Sequence, residues 1–562
     1  MTTITEVADG YLAQLARLDP AAAEVVGERP ALRFPDLSPD GFTARADLDR
    51  RTRTAAAEAT AADVSERALH RALLDRLDSD LALYDVGFTP RLLAPLATPV
   101  HRTRQVFDQL PRRTQEDWAA VAAHLEALSG ALEQYAATLR AAAGRGQIVA
   151  RRQVLVVAEQ CTAWITVDDF YGRLVATYPG GSLRERLAEG ARQATAATAG
   201  FVQFLRTELA PQAGEIDGVG RELYAVTARS FLGAQVDLDE LYAYGWAELD
   251  AIAMEMQAVA GQLGHQDVAK AMAALDADPS WRVPSGAALE AWLNRRVEQV
   301  TDALDGTHFD LPAATRRVLC RLSPAASGVM YYTPPDAGLT RPGTVWWAVP
   351  EGESEVAVWR HVGTLYHEGL PGHHLQSAIT LATEQLHPWQ RHLCQVHGYA
   401  EGWAHYAERL ADELGLYAGP AERLGMLCGQ IWRAARIVID IGLHLDVPIP
   451  DGNGFTPARR WTPELAVALL SRITGLDSVT ARFEVDRYLG WPGQALAFKA
   501  GARLWQQARR EAELRDGHRF DRKQFHTNAL RLGPMGLDPL RAALTEVAGP
   551  GDLVVPRPEE QC

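Results

Sequence analysis

The chain has 562 residues and a formal charge of −15 at neutral pH, with a mass of 61.4 kDa and a pI near 5.6. That charge argues against nucleic acid, which wants a basic face, and no apolar run is long enough to span a bilayer. The opening Met-Thr-Thr-Ile-Thr-Glu lacks the basic start and apolar core of a signal peptide, and five scattered cysteines (Cys161, Cys320, Cys394, Cys428 and Cys562) suit a reducing cytoplasm better than disulfides or a thiolate metal site.

In chain order, residues 29–41, with Pro30, Pro35 and Pro39, predict an extended wrap. Ala/Leu/Arg/Glu periodicity over residues 63–139, 159–209 and 238–304 predicts long amphipathic helices. No Ser-rich or Gly-rich linker and no internal repeat cuts the chain. The best boundary is 307–312, between a helical amino-terminal half (1–306) and a motif-bearing half (307–562) of one continuous fold. Residues 341–349, Arg-Pro-Gly-Thr-Val-Trp-Trp-Ala-Val, predict a strand.

Residues 367–376, His-Glu-Gly-Leu-Pro-Gly-His-His-Leu-Gln, carry the most chemistry. The nearest pattern is His-Glu-x-x-His, in which two His one helical turn apart hold zinc and the Glu acts on an activated water. His367 and Glu368 begin it correctly, but position 371 is a proline, and Gly372-His373-His374 follows. On a straight helix His373 would lie about 240° around and about 9 Å along the axis from His367, and His374 about 10.5 Å away. Neither could share an ion with His367 at ligand distances of about 2.0–2.1 Å unless the backbone bulges or breaks. Gly369, Pro371 and Gly372 permit such a break, so a shaped loop or bulge is expected. The bland alternative is a helix end, with Pro371 opening a new helix and the imidazoles exposed.

A site of this kind takes its third ligand, a Glu, from a second helix downstream. Residues 399–417 supply one, with Ala400, Trp403, Ala407, Leu410 and Leu414 at helical spacing. Glu401, His405, Glu408 and Asp412 form another stripe, and a solvated face explains Asp412 and His405. Glu401 differs, because a glycine and two large aromatics surround it; it is the expected ligand, with Glu408 in reserve. The apolar run 431–445 then carries Arg436, Asp440 and His444 at intervals of four. Ionisable groups there must be paired or near a polar site. Asp440 and His444 either join Arg436 in a buried network tying helices together, or support a ligating imidazole or a substrate.

Further matches run through the second half. They are Tyr331-Tyr332-Thr333-Pro334-Pro335, Arg341-Pro342-Gly343, Glu401-Gly402-Trp403 with Tyr406-Ala407-Glu408, and Arg436 with Asp440, Gly442 and His444. Glu484, Arg487-Tyr488, Pro492-Gly493-Gln494-Ala495-Leu496, Lys499, Gly501 and Phe525-His526 complete them. In these residues and the 367–376 motif the chain resembles the bacterial family catalogued as domain of unknown function 885. That family is similar in fold to the helical Taq-type carboxypeptidases and, more distantly, to the thimet-class oligopeptidases. The first half matches only in its helical character.

The resemblance implies a mainly α, multi-helix, zincin-like metallopeptidase fold with a central channel between two halves and a small β element near 331–349. It aligns Gly372-His373 with the Gly-His that ends the Taq-type motif. His373 is then the second ligand beside His367 and Glu401, on one divalent ion, zinc, with His374 as the rival. The chain departs from the family at Phe498, where Tyr is usual, and at Trp346-Trp347-Ala348, where an Asn is common. His397 and His405 lie outside the pattern.

The chemistry follows. Glu368, beside a ligand, is the expected general base. Tyr488 is the candidate donor to a developing oxyanion, with a half-buried structural tyrosine as the alternative. Arg487 or Lys499 is the candidate anchor for a substrate carboxylate. Lys499 stands out because the chain has only two other lysines, Lys270 and Lys523. By resemblance the 341–349 strand binds the substrate backbone by strand addition, or else is a structural hairpin. The expected function is a cytoplasmic zinc peptidase or carboxypeptidase acting on small peptides. A non-catalytic helical protein with a structural or degenerate metal site competes with it, as does a hydrolase of non-peptide amides. Retention of Glu368 favours catalysis, since a structural site has no use for a base.

Overall fold

Helical periodicity builds two hydrophobic cores, and their division differs from the one expected at 306/307. The computed structural model describes residues 2–28, 30, 32–323, 330–349 and 352–547, so positions 29 and 31 of the expected wrap and Cys562 lie outside the described residues. The smaller core is drawn from residues 34–210, where Gln115–Gly144 packs on Arg184–Phe204 and Arg151–Thr166 joins them. The larger core unites Ile4–Leu15 and Val64–Asp85 with buried apolar residues from Gly220–Leu232 through Val547. Leu304, Phe309, Leu311 and Val318 are all buried in that larger core. Packing therefore runs straight across 307–312, because apolar residues on both sides share one interior. The wrap also ends early: Ser38 accepts a hydrogen bond from the Gly41 amide, and Pro39 opens the helix Pro39–Glu58.

The fold is mainly α. Seven helices matter to the site: α1 (Leu238–Gln262), α2 (Val362–Glu368), α3 (His373–Ala382), α4 (His397–Glu413), α5 (Pro420–Leu445), α6 (Ser478–Gly490) and α7 (Lys499–Asp516). Pro420 starts α5 well before residue 431, and α1 lies along it. Helices α4 and α7 meet backbone to backbone. A Cβ on Gly402 would stand 2.8 Å from the Gly501 Cα, so only glycine fits, and that contact holds Glu401 in place. No helix of the described residues is long and apolar enough to cross a membrane.

The β element is small. Strands β1 (Arg282–Pro284) and β5 (Glu355–Ala357) pair antiparallel, and β2 (Val318–Leu322), β3 (Tyr331–Thr333) and β4 (Gly343–Trp347) form a sheet of order β2-β4-β3. The expected strand at 341–349 is thus β4, but it is central. It pairs in parallel with β2 and antiparallel with β3. With both edges hydrogen-bonded, β4 has no free edge on which to add a substrate strand, and the structural alternative holds for it.

Candidate metal centre

The motif is a broken helix. Helix α2 ends at Glu368 and α3 begins at His373, joined by four residues that include a cis Leu370–Pro371 peptide. The Gly372 amide donates to the Tyr366 carbonyl at 2.9 Å, and the His374 amide to the Gly369 carbonyl at 3.0 Å, so the connector folds back on the turn it leaves. A Cβ on Gly372 would lie 1.9 Å from the His367 carbonyl oxygen, so this fold-back requires glycine. The connector's own carbonyls are satisfied from α4: the buried Trp403 indole N–H reaches those of Pro371 (3.0 Å) and Gly372 (3.2 Å). The result is an outcome between the two expectations. A helix does end here, yet the new one starts at His373, two residues after Pro371, and turns that imidazole toward His367.

The ring centroids of His367 and His373 are 4.9 Å apart and nearly perpendicular, at 88°. Glu401 of α4 completes the group: its Oε2 lies 3.4 Å from Nε2 of His367 and 3.4 Å from Nε2 of His373. Two donors on one tetrahedral zinc, at ligand distances of about 2.0–2.1 Å, stand about 3.3 Å apart. The donor set therefore fits one divalent ion. Glu401 Oε2 is buried and has no hydrogen-bond partner; its charge must be balanced by an ion or by a protonated His367 at 3.4 Å.

Behind His367 lies a buried polar chain. Its Nδ1 meets Glu408 Oε1 at 2.8 Å, which leaves Nε2 facing Glu401. Glu408 also meets His405 Nδ1 at 3.2 Å and accepts from Gln430 Nε2 at 2.8 Å. Lys499 donates to Gln430 Oε1 at 3.2 Å and pairs with Glu248 of α1 at 2.7 Å. A carboxylate on the far nitrogen of a ligating imidazole fixes its tautomer and raises its basicity. Glu408, expected as a reserve ligand, stands in that position behind His367. His405 is buried and not on a solvated face. Glu408 and His405 form a second cluster of metal-ligand type with His367, but hydrogen bonds already engage the atoms that face one another.

The electrostatics agree. Burial alone would lower His367, yet the carboxylates of Glu401 and Glu408 raise it to about 9. Burial works against ionisation of Glu401 and Glu408, yet the neighbouring imidazoles hold both well below the ordinary carboxylate range. Burial raises Glu368, opposed by His373 and His367 and aided by the charge of Glu401. His374 points elsewhere: its Nε2 meets the Thr315 carbonyl at 2.7 Å and its Nδ1 the Tyr332 hydroxyl at 2.9 Å. Burial pushes it down to about 4. It is a core histidine bridging the motif to the sheet.

A family model described as a bacterial protein of unknown function (DUF885) matches residues 20–544. The chain belongs to the DUF885 family. Two solved structures share the fold. A "putative lipoprotein" from Colwellia psychrerythraea superposes with a TM-score of 0.81 at 20% identity, covering 97% of this chain and 99% of that one. A "putative lipoprotein of unknown function" from Shewanella oneidensis gives 0.72 at 16% identity, covering 97% and 100%. The comparison with curated proteins finds no match.

In this DUF885 protein the remaining expected residues sit around Tyr488. Its buried hydroxyl accepts from Arg436 Nε (3.1 Å) and Trp432 Nε1 (3.2 Å), and no metal ligand is among its hydrogen-bond partners. Arg436 also donates to Glu484 Oε2 at 3.0 Å and lies 4.3 Å over the Phe498 ring, which stacks on His367. Arg487 donates to Glu484 Oε1 at 3.3 Å and Gln494 Oε1 at 3.0 Å. Arg487 and Lys499, both expected to anchor substrate, therefore already hold protein oxygens. Asp440 and His444 touch no ligand. Asp440 Oδ2 accepts from Tyr224 (2.7 Å) and the Gly493 amide (2.9 Å), and His444 Nε2 meets the Tyr488 carbonyl at 3.1 Å. Their work is structural, pinning α6 and the loop after it to α5.

That arrangement predicts a pH effect. Burial raises Asp440 to about 7, against the hydrogen bonds from Tyr224 and Gly493. A carboxyl raised on folding favours the folded state most below its unfolded value, and that contribution is lost as pH climbs to about 7. Asp440→Asn keeps an oxygen for both donors and places its amide at Oδ1, which has no hydrogen-bond partner and stands 3.6 Å from His444 Nε2. The variant's melting temperature should rise relative to wild type between weakly acidic and neutral pH. A difference that stays flat across this window excludes the assignment.

Proposed function

We propose that this DUF885 protein is a metal-dependent hydrolase, with zinc as its ion, and that it is a peptidase acting on small peptides. The observation that carries the reading is the trio of His367, His373 and Glu401, spaced for one tetrahedral ion with Glu401 Oε2 otherwise unpartnered. Structural zinc sites are closed by four protein ligands, whereas catalytic sites offer three and leave a position open. Three donors, with side-chain exposures of 3% for His367, 15% for His373 and 23% for Glu401, favour the open kind. We place the approach to them in a channel of a zincin-like fold, opening on the His373 and Glu401 side.

A divalent ion bound there supplies Lewis-acid polarisation of a carbonyl and lowers the pKa of a water. The protein's own contribution is proton handling and orientation. Glu368, next to ligand His367, takes the proton of the attacking water and returns it to the leaving amine. Glu408 keeps His367 in the tautomer that presents Nε2. Among the described residues Cys161, Cys320, Cys394 and Cys428 are unpaired, which supports residence in a reducing compartment.

Protein purified without chelator should carry about one equivalent of divalent metal, and His367→Ala should lose it. With His367 held at about 9 in the metal-free protein, ion binding must displace that proton, so affinity should weaken as pH falls below that value. Calorimetry in buffers of different ionisation enthalpy reads the released proton. Metal-free protein that takes up no zinc, cobalt or manganese rules the reading out.

A further inference from the structure

Arg433 is the arginine of this site that has no acceptor. It lies on α5 one turn before Arg436. Arg436 holds Tyr488 and Glu484, Arg487 holds Glu484 and Gln494, and Lys499 holds Glu248 and Gln430. Among the described residues Arg433 makes no hydrogen bond or ion pair, and its Nε is buried without a partner. Its guanidinium is held by rings instead, 4.8 Å from the Trp432 centroid and 5.6 Å from that of Phe498. Phe498 stacks on ligand His367, with centroids 6.1 Å apart and planes at 13°. The positive charge is felt by Glu368, and it is drawn by Glu408 and Glu401 without reaching either.

A guanidinium is a planar fork of five donors that cannot shed its proton. Leaving such a fork unpaired in a half-buried place is costly, and a carboxylate satisfies two of its arms at once. We propose that Arg433 binds the free terminal carboxylate of a short peptide whose scissile carbonyl lies at the His367–His373–Glu401 centre. This rests on the hydrolase reading above and narrows it to substrates ending in a free carboxylate. Trp432 and Phe498 fix the guanidinium plane, and the Phe at 498 contributes no hydroxyl to compete for it. Arg433 thus takes the anchoring role expected of Arg487 or Lys499.

The test uses zinc-loaded protein and a panel of N-acetylated dipeptides, each made as the free acid and as the amide. Binding is measured by calorimetry to Glu368→Gln, which should hold peptides without cutting them. Free acids should bind roughly tenfold to a hundredfold tighter than their amides, the range of charge-assisted hydrogen bonds. Arg433→Gln on that background should bring the ratio near one, with melting temperature and metal content unchanged. Arg433→Lys, which keeps the charge but loses the fork, should retain part of it. Equal binding of acid and amide by the parent, no binding of any free acid in the millimolar range, or a ratio untouched by either variant overturns the proposal. Cleavage of acids and amides alike by the wild-type protein overturns it while sparing the hydrolase reading. Acid-selective, Arg433-dependent binding with no cleavage of any peptide keeps the anchor and removes the peptidase.

Discussion

Glu368→Gln should abolish hydrolysis while leaving metal content and stability close to wild type. General acid–base groups contribute about 10²–10⁴-fold to turnover, and an amide of the same size accepts no proton. The carboxylate is not one of the three grouped donors, His367, His373 and Glu401, so the ion should stay. Nor should the fold suffer, because burial already raises Glu368 and disfavours its charge; a neutral side chain is at least as welcome there. The comparison needs turnover and metal content on the same preparations, with any peptide that the wild type cleaves. Full activity in the variant would remove Glu368 as the base and with it the proposed chemistry. Lost activity together with lost metal would show instead that Glu368 supports the ligands.

Of the three residues that come together, His367 and Glu401 were legible from local signatures, whereas His373 was preferred to His374 only through the resemblance. His367 and Glu368 open a known pattern, and Glu401 sits among Gly402, Tyr399 and Trp403, as a solvated carboxylate would not. What surrounds them was not legible, because it comes from distant parts of the chain. Lys499 stood out by composition alone, yet its partner is Glu248, contributed by a helix 251 positions earlier. Glu408 looked like a spare ligand because nothing local says that His367 turns Nδ1 toward it. The strand at 341–349 was visible, but the parallel pairing of β2 that makes β4 central leaves no trace in its own residues. Arg433 and Gln430 extend the stripe of Arg436, Asp440 and His444 by two turns toward the amino terminus. Carrying that stripe back would have found both.

Gly372→Ala tests the least expected part of the centre, the fold-back that lets an interrupted motif bring two imidazoles together. The added Cβ would meet the His367 carbonyl oxygen at 1.9 Å, the Tyr366 carbonyl oxygen at 2.4 Å and the His367 carbonyl carbon at 2.6 Å. All three are backbone atoms of the helix that carries His367, so no side-chain rotation relieves the contact. Either the connector opens, moving His373 away from His367 and Glu401, or the clash is borne at a cost above about 4 kcal/mol, the range of severe single substitutions. The variant should therefore lose metal, and its denaturation midpoint should fall. Gly130→Ala is the control. It lies inside the helix Gln115–Gly144, where a Cβ meets nothing within 4 Å, and alanine there should be neutral or stabilise by about 0.5–1 kcal/mol. If Gly372→Ala keeps both its metal and its midpoint, the backbone path between Glu368 and His373 is not the one described, and the pairing of His367 with His373 loses its support.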